Sequence, residues 1–231
     1  MVLTLPIREV RPATPRAQIV RLDLGDCAFD YAAGQAVMVG THGVDRRRPY
    51  SISAAPEDAR RDGAIELLVG TEPSDASETH FVPVAGELAD VEGPIGTFIF
   101  PPNPEEGRFV FIAGGTGIAP LRAMLRHALA IPHREIGLFY SARTPEEFAY
   151  EPELRELARA GEIELRQTIT RSVDAQWTGA RGRVNRAALE DLVRDPMTLC
   201  FVCGPPALVE EVPKLLEDLG VAPDRIKIER R

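Results

Sequence analysis

A glycine-rich turn in the second half of the chain has the composition of a phosphate-binding loop: Gly114-Gly115-Thr116-Gly117-Ile118-Ala119-Pro120. It follows Phe109–Ala113, which predicts a buried strand, and leads into Ile118–Leu129, which has helical spacing. Such a turn lets the backbone approach a pyrophosphate, and the first N–H groups of the helix face the anion. Pro120 suits the first helical turn because it lacks a donor that would be idle there. The same residues could equally form a tight turn without a ligand, and no Gly-Lys-Ser/Thr follows to make a P-loop.

A second turn of interest is Cys203-Gly204-Pro205-Pro206, which follows the predicted strand Leu199–Val202. In open parallel sheets ligands bind at the carboxyl ends of the strands, so this turn and the glycine-rich turn share one edge. A thiol at that edge could pack against a flat ring. Cys200 and Cys203 also form a Cys-x-x-Cys pair, but disulfide exchange needs the pair at a helix N-terminus, and Cys200 falls inside the strand.

The first half contains Arg48-Pro49-Tyr50-Ser51-Ile52-Ser53, preceded by Arg46 and Arg47. An arginine can bind a diphosphate with two hydrogen bonds, and a tyrosine two residues later could stack on an aromatic ring. The Ser51 hydroxyl could reach the polar edge of such a ring. The alternative is an ordinary barrel strand, in which Tyr50 packs against the core and Arg48 is solvated.

Two domains must position these three segments, and we place the boundary between residues 103 and 104. Residues 1–103 contain short alternating segments separated by turn residues, which favours an antiparallel β-barrel. A proline-rich linker, Pro101–Gly107, separates this half from a second half in which strands alternate with helices. That alternation predicts a doubly wound α/β domain with a parallel sheet over residues 104–231. The predicted helices are Ile118–Leu129, Pro152–Ala160, Arg186–Val193 and Ala207–Leu219.

Composition excludes several classes of protein. The formal net charge of −8 argues against a nucleic-acid partner, and no apolar run approaches the length of a membrane helix. A cytoplasmic location is the default expectation. Three cysteines give no four-cysteine cluster for an iron–sulfur centre, and the four histidines lack metal-ligand spacing, so we expect no metal site.

Together the three segments, in this order, resemble the ferredoxin–NADP reductase family. Gly93-Pro94-Ile95-Gly96-Thr97-Phe98 is similar to the turn that closes the family's barrel, and Gly34-Gln35 to its early turn. The resemblance spans nearly the whole chain. It implies an N-terminal FAD-binding barrel, a C-terminal NAD(P)-binding domain, and an oxidoreductase that takes a hydride from NAD(P)H onto flavin.

The resemblance also assigns roles to the barrel residues. Arg48 would contact the flavin phosphates, with Pro49 beside it, Tyr50 would stack on the isoalloxazine, and Ser51 would hydrogen-bond near its reactive N5. The second flavin motif, Gly-x-x-Ser, is best matched by Ser74–Ser77, where Ser74 departs from the usual glycine. Ser77 and Thr79 would then bind the pyrophosphate.

In the second domain the resemblance implies that Gly115, Thr116 and Gly117, next to Pro120, hold the NAD(P) pyrophosphate. Cys203, in the Cys203-Gly204-Pro205 turn, would lie beside the nicotinamide C4. Glu229 matches a near-terminal glutamate of the family, whereas the tail Ile228–Arg231 lacks the aromatic residue with which many members end. Ser51, Cys203 and Glu229 are therefore the candidate catalytic residues.

The nucleotide specificity stays open between NADP and NAD. Ser141, Arg143, Thr170 and Arg171 follow the second and third strands of the second domain, and their hydroxyls and cations suit a 2′-phosphate. No Asp or Glu stands at these positions to favour a bare ribose. These residues favour NADPH over NADH.

The electron acceptor is not identified by the sequence. A protein such as ferredoxin, flavodoxin or an oxygenase component would fit, as would a small-molecule acceptor. Arg46, Arg47, Arg230 and Arg231 could steer an acidic carrier to a docking patch, or could simply be solvated. Two alternatives remain: a flavin reductase that uses free flavin as substrate, and an electron-transfer subunit of a larger complex.

Overall fold

The computed structural model describes residues 2–71, 81–171 and 176–230. The first half is an antiparallel sheet with strand order β4-β3-β6-β1-β2-β5. A bridge between Ile52 and Leu67 joins the chain after β4 to β5 and closes the sheet into a barrel. Its elements are β1 Val2–Thr14, β2 Ala17–Asp23, β3 Ala36–Thr41, β4 Arg48–Ser51, α1 Pro56–Asp62, β5 Ala64–Gly70 and β6 Leu88–Ile95.

The second half is a parallel sheet with strand order β10-β9-β8-β7-β11-β12. Strand order reverses between β7 and β11, which places the topological switch point between these two strands. Separate apolar cores cover the two faces of the sheet. Its elements are β7 Arg108–Gly114, α2 Ile118–Leu129, β8 Glu135–Ala142, α3 Glu151–Arg159, β9 Glu164–Ile169, β10 Ala180–Arg181, α4 Arg186–Glu190, β11 Leu199–Gly204, α5 Pro206–Asp218 and β12 Ile226–Arg230.

The two halves share one apolar core. Phe100 stacks on Phe201 with ring centroids 5.4 Å apart, and its edge meets Phe109 at 5.0 Å. Ala17, Ile19 and Leu68 of the barrel are buried in the same cluster as the residues of α2. This packing joins the two sides of the boundary predicted between residues 103 and 104, so the halves meet through closely packed apolar side chains.

The predicted fold class is confirmed: an antiparallel barrel precedes a doubly wound parallel sheet. Helix α2 has the predicted bounds, because its apolar spacing and its first-turn proline are local features. Helix α4 is shorter than the predicted Arg186–Val193, since the chain turns after Glu190. Strand β11 is longer than predicted, and Cys203 and Gly204 belong to the strand rather than to the turn after it. In the described part of the chain, no helix is long and apolar enough to cross a membrane.

Candidate functional site

A cleft of about 610 Å³ lies between the barrel and the carboxyl ends of the parallel strands. Its volume is within the range of small-molecule and cofactor sites. The barrel contributes Thr14, Arg16 and Leu68, among others, to the lining of this cleft. The residues predicted from the sequence that line this cleft are Gly115, Thr116, Ser141, Arg143, Thr170, Arg171 and Pro205.

The glycine-rich turn lies at the end of β7 and is held from one side by Tyr140. Gly115 has a φ of +55°, which a side chain would disfavour, and a Cβ there would meet no atom within 4 Å. The Tyr140 hydroxyl donates to the Gly115 carbonyl at 3.2 Å and accepts from the N–H of Ala149 at 3.2 Å. Burial raises the pKa of Tyr140, so this hydroxyl stays protonated and can donate. The turn therefore presents fixed backbone to open space in the cleft.

Gly117 joins the glycine-rich turn to the end of β11. A Cβ at Gly117 would lie 2.3 Å from the carbonyl oxygen of Cys203, so only glycine allows α2 to begin here. Gly204 packs closely, though less tightly, against Gly114: a Cβ on Gly204 would lie 3.0 Å from the Gly114 backbone nitrogen. Pro120 is buried in the first turn of α2. These predicted residues support the cleft from below, whereas Gly115 and Thr116 line it.

Cys203 is fully buried on β11, and the strand register pairs it with Glu229 on β12. The thiol donates to Oε2 of Glu229 at 3.7 Å. The structure thus brings together two of the predicted catalytic residues at the carboxyl edge of the sheet. Cys200 is also buried, and burial raises the pKa of its thiol to about 12. No disulfide joins the described cysteines.

Three arginines line the part of the cleft beyond β8 and β9: Arg143, Arg171 and Arg183. All three side chains are exposed. The N–H of Arg171 donates to the carbonyl of Arg143 at 2.9 Å, which holds the first two side by side. The Thr170 hydroxyl donates to the Ala142 carbonyl at 3.2 Å, which ties this part of the wall together. This wall carries a concentration of positive charge suited to a phosphate.

Acidic side chains also reach the cleft, which the local sequence pattern does not indicate. Glu147 and Glu211 both line it, and Glu147 forms an ion pair with Arg16 across the gap between the domains. Glu211 lies on α5, far in sequence from Ser141 and Thr170. No Asp or Glu stands among residues 141–143 and 170–171, as noted from the sequence, and both carboxylates reach the cleft from other segments of the chain.

The predicted flavin segment forms β4 at the edge of the barrel sheet. Tyr50 is half-buried beside Phe81, with ring centroids 6.1 Å apart, and burial raises its pKa while Arg48 partly opposes the shift. Pro49 is exposed and Arg48 is half-buried. Ser51 is 2% exposed, and its hydroxyl has no hydrogen-bond partner among the described residues. Predicted Ser77 and Thr79 lie outside those residues.

The unpartnered Ser51 hydroxyl tests whether β4 fits a flavin. A buried hydroxyl without a partner is costly, and native proteins rarely leave one unless a ligand or water completes it. A flavin ring edge at this position would supply the missing partner. The donor set of Arg48, Tyr50 and Ser51 therefore fits a flavin.

The arginines predicted to form a docking patch differ in their exposure and in their ion pairs. Arg46 is exposed, whereas Arg47 lies 3.7 Å from the carboxylate of Glu92. Arg230 is exposed and 3.9 Å from the Glu210 carboxylate, and Arg231 lies outside the described residues. Within the described ranges, no group of three or more His, Cys, Asp or Glu could hold a metal ion.

Several residues of the site were missed by the sequence analysis: Arg16, Tyr140, Glu147, Arg183 and Glu211. Tyr140 had a local signal, since a tyrosine near the end of a predicted parallel strand falls at the ligand edge. Arg16 belongs to the barrel, so its position at the cleft depends on how the two domains dock. Glu147, Arg183 and Glu211 belong to the second domain and reach the cleft through the packing of that domain.

Comparison with known proteins gives consistent results. The sequence profile of the oxidoreductase NAD-binding domain matches residues 111–214. The chain is 34% identical over 235 residues to ferredoxin–NADP reductase B of Sorangium cellulosum, covering 96% of this chain and 94% of that protein. It is 31% identical over 241 residues to the reductase subunit of an aromatic O-demethylase of Amycolatopsis, covering 99% of this chain and 69% of that protein.

Solved structures with the same fold include the ferredoxin reductase in carbazole 1,9a-dioxygenase. That structure superposes with a TM-score of 0.83 and 24% identity, covering 100% of this chain and 69% of the other. A ferredoxin NADP⁺ reductase from Neisseria gonorrhoeae with bound FAD and NADP gives a TM-score of 0.76 at 19% identity, covering 99% and 98%.

Proposed function

The chain belongs to the ferredoxin–NADP reductase-like family of NAD(P)H-dependent flavoprotein reductases, and we propose that it binds FAD on the barrel, takes a hydride from NADPH and passes electrons to a protein acceptor. The Ser51 hydroxyl carries this proposal. It is buried and has no hydrogen-bond partner among residues 2–71, 81–171 and 176–230. Its strand also holds Arg48 and Tyr50, residue types that can bind a flavin diphosphate and stack on its ring.

A bound flavin would supply the redox chemistry: it would take up a hydride from NAD(P)H with release of NAD(P)⁺, and would pass two electrons to the acceptor with release of a proton. The protein supplies orientation. Arg48 binds the phosphates, Tyr50 packs against the ring, and Ser51 donates to its polar edge. On the opposite side of the interface, Gly115 and Thr116 bind the pyrophosphate of the nucleotide.

Cys203 and Glu229 orient the nicotinamide at the carboxyl edge of the sheet. The 3.7 Å contact between the Cys203 thiol and the Glu229 carboxylate fixes the sulfur in one rotamer. Hydride transfer needs donor and acceptor atoms about 3–3.5 Å apart, so a small displacement of either ring is costly. The contact supports a positioning role for both residues.

NADPH is the proposed donor because Arg143, Arg171 and Arg183 line the same wall of the cleft. A 2′-phosphate accepts hydrogen bonds from guanidinium groups in fixed planar geometry. NADH is the second candidate, and Glu211 favours it, since a carboxylate in the cleft can accept hydrogen bonds from ribose hydroxyls.

A protein acceptor is favoured by the relatives, two of which are named as a ferredoxin–NADP reductase and as a reductase subunit of a demethylase. An acidic carrier would be steered by the exposed cations Arg46 and Arg230. Charge reversal at both positions should slow reduction of such a carrier and leave reduction of a small dye unchanged. An unchanged rate of carrier reduction would show that these arginines are not part of the docking surface.

The alternative function is a flavin reductase that uses free flavin as a substrate. Flavin absorbance in the purified protein distinguishes this function from that of a reductase with bound FAD. The test is the visible spectrum of the purified protein, followed by anaerobic mixing with NADPH and, separately, NADH. Bound flavin that bleaches supports the proposal, and the faster nucleotide identifies the donor. A colourless protein that consumes NAD(P)H only with added flavin would indicate the flavin reductase, and one inert under both conditions would refute both functions.

A further inference from the structure

A buried polar cluster connects α2 to the chain that continues from β4. Nη1 of Arg122 donates to the Ser53 carbonyl at 2.8 Å and to Oε1 of Glu66 at 3.1 Å. Nε of Arg122 donates to Oε2 of Glu153 at 2.8 Å. Only 12% of the Arg122 side chain is exposed, so one guanidinium joins the barrel, α2 and α3 inside the protein. Burial alone would lower the pKa of Arg122, but the neighbouring carboxylates outweigh it and raise that pKa.

Tyr150 completes this cluster. The Arg122 guanidinium lies 4.3 Å from the centre of its ring, and its hydroxyl donates to Oγ of Ser53 at 2.9 Å. Tyr150 has a φ of +61°, the one positive value among the described non-glycine residues. Such a conformation persists only where the surrounding contacts enforce it, and it concentrates at functional sites. The contacts to Arg122 and Ser53 therefore hold a backbone conformation that tyrosine does not favour.

The two ends of the cluster lie close in sequence to the two halves of the proposed reaction centre. Arg122 stands five residues after Gly117 on the helix that begins at the nucleotide turn. Ser53 stands two residues after Ser51, and its N–H donates to the Glu66 carbonyl at 2.8 Å. Any rotation of one domain against the other would have to break hydrogen bonds in this cluster.

Domain adhesion does not require these polar contacts, because the apolar interface of Phe98, Phe100 and Phe201 already supplies it. Apolar packing is tolerant of small rotations, whereas a buried guanidinium with three directed acceptors has one satisfactory geometry. The cluster thus has the properties of an orientation device.

We propose that Arg122, together with Tyr150 and Ser53, is a positioning residue that sets the separation of the nicotinamide and flavin sites. The inference rests on the proposed location of the flavin at Arg48, Tyr50 and Ser51. The Arg122 guanidinium would touch neither cofactor. It would affect hydride transfer by fixing how the two domains are placed relative to each other.

The test compares Arg122→Met, Arg122→Lys and Tyr150→Phe with the wild-type protein. Arg155→Met is the matched control, because Arg155 is an exposed arginine on α3 paired with Glu151. The readouts are the limiting rate of anaerobic flavin reduction, the nucleotide concentration at half-maximal rate, and flavin content. A further readout without turnover is the long-wavelength absorbance that appears when NADP⁺ stacks against the oxidised flavin.

We expect Arg122→Met to lower the limiting rate by about 10²-fold, since a displacement of about 1 Å has that effect. The half-saturating nucleotide concentration and the flavin content should change little, and the long-wavelength absorbance should weaken. Arg122→Lys should restore part of the rate, because an ammonium keeps the charge but not the planar fork. Tyr150→Phe removes one hydrogen bond and should show a smaller loss of the same kind.

Wild-type limiting rates and absorbance in Arg122→Met and Tyr150→Phe would overturn the inference, even if the unfolding temperature falls. If Arg122→Met does not fold, Tyr150→Phe decides, since it keeps the ring and the charge network. A wild-type protein that binds no flavin would instead refute the proposed function. The two failures are therefore distinguishable.

Discussion

Ser51 ends strand β4 and Ser53 follows two residues later; both are buried, but their hydroxyls differ in hydrogen bonding. The Ser53 hydroxyl donates to the Glu66 carbonyl at 3.0 Å and accepts from Tyr150. The Ser51 hydroxyl has no partner in the described part of the chain. Two like residues, two positions apart, thus differ: the Ser53 hydroxyl is satisfied by the protein, whereas the Ser51 hydroxyl has the geometry proposed above for a ligand contact.

Opposite effects on stability should follow when each serine is changed to alanine. In flavin-free protein Ser51→Ala should leave the free energy of unfolding unchanged or raise it, because it removes an unsatisfied buried group. Ser53→Ala should lower it by about 1 kcal/mol or more, since it leaves partners unpaired. Urea denaturation measures both. A clear loss of stability in Ser51→Ala would show that its hydroxyl already has a partner.

Cys203→Ala should lower the limiting rate of flavin reduction by about tenfold or more, equivalent to ~1.4 kcal/mol, while flavin content stays near that of the wild type. The physical reason is the loss of the side chain that Glu229 holds at the carboxyl edge of the sheet. Rapid-mixing kinetics with NADPH measures the rate. Cys27→Ser is the control, because Cys27 is exposed and belongs to the barrel half of the chain, whereas Cys203 is buried on β11. Equal rates for the two variants would show that Cys203 does not position the nicotinamide.

Arg143→Ala should raise the KM for NADPH by about tenfold and hardly change the KM for NADH, because a guanidinium–phosphate hydrogen bond is charge-assisted. The measurement is the steady-state KM for each nucleotide with a dye acceptor. Arg155→Ala provides a control for general loss of positive charge. An equal rise in the KM for both nucleotides would mean that Arg143 contacts a group that NADPH and NADH share, and would contradict its proposed contact with the 2′-phosphate.

Asp90 should make stability depend on acid pH. Hydrogen bonds from His42, Thr4 and the N–H of Gly43 lower the pKa of its carboxyl group from 3.8 to about 2. Because the native pKa is the lower one, the carboxylate stabilises the fold above the unfolded-state pKa, and this contribution is lost as pH falls from 3.8 toward 2. The stability difference between wild type and Asp90→Asn should therefore be constant near neutral pH and shrink over that range. Denaturation curves at several pH values would show it, and a difference that stays constant down to pH 2 would contradict it.

Thiol labelling should distinguish the three cysteines in the native protein. Cys27 is exposed, whereas Cys200 and Cys203 are buried, and the pKa of Cys200 is raised to about 12 by burial. One equivalent of a thiol reagent should react rapidly, and Cys27→Ser should abolish that reaction. Rapid labelling of a second thiol would mean that β11 opens readily at its carboxyl end.

Local patterns account for the parts of the fold that the sequence predicts well. The bounds of α2 follow from apolar spacing and from a proline in its first turn, both of which lie within a dozen residues. Helix α4 was predicted too long, because Leu192 and Val193 continue the helical spacing but pack into the core from a turn. Strand β1 was not among the strands identified, since prolines at positions 6 and 12 weaken its pattern.

The three motifs, in this order, were sufficient to assign the family, and they contain Gly115, Thr116 and Pro205 of the cleft lining. The other predicted residues of the lining were proposed from their place after the second and third strands of the second domain. Each motif is a short segment whose chemistry depends on neighbouring residues, such as glycine at a strand-to-helix turn. Contacts between distant segments could not be obtained in this way. Arg122 meets Ser53 over 69 residues of chain, and Glu211 reaches the cleft from a helix that no local pattern connects to Thr170. The first contact depends on how the two domains dock, and the second on how α5 packs within the second domain. Both are properties of complementary surfaces rather than of sequence spacing.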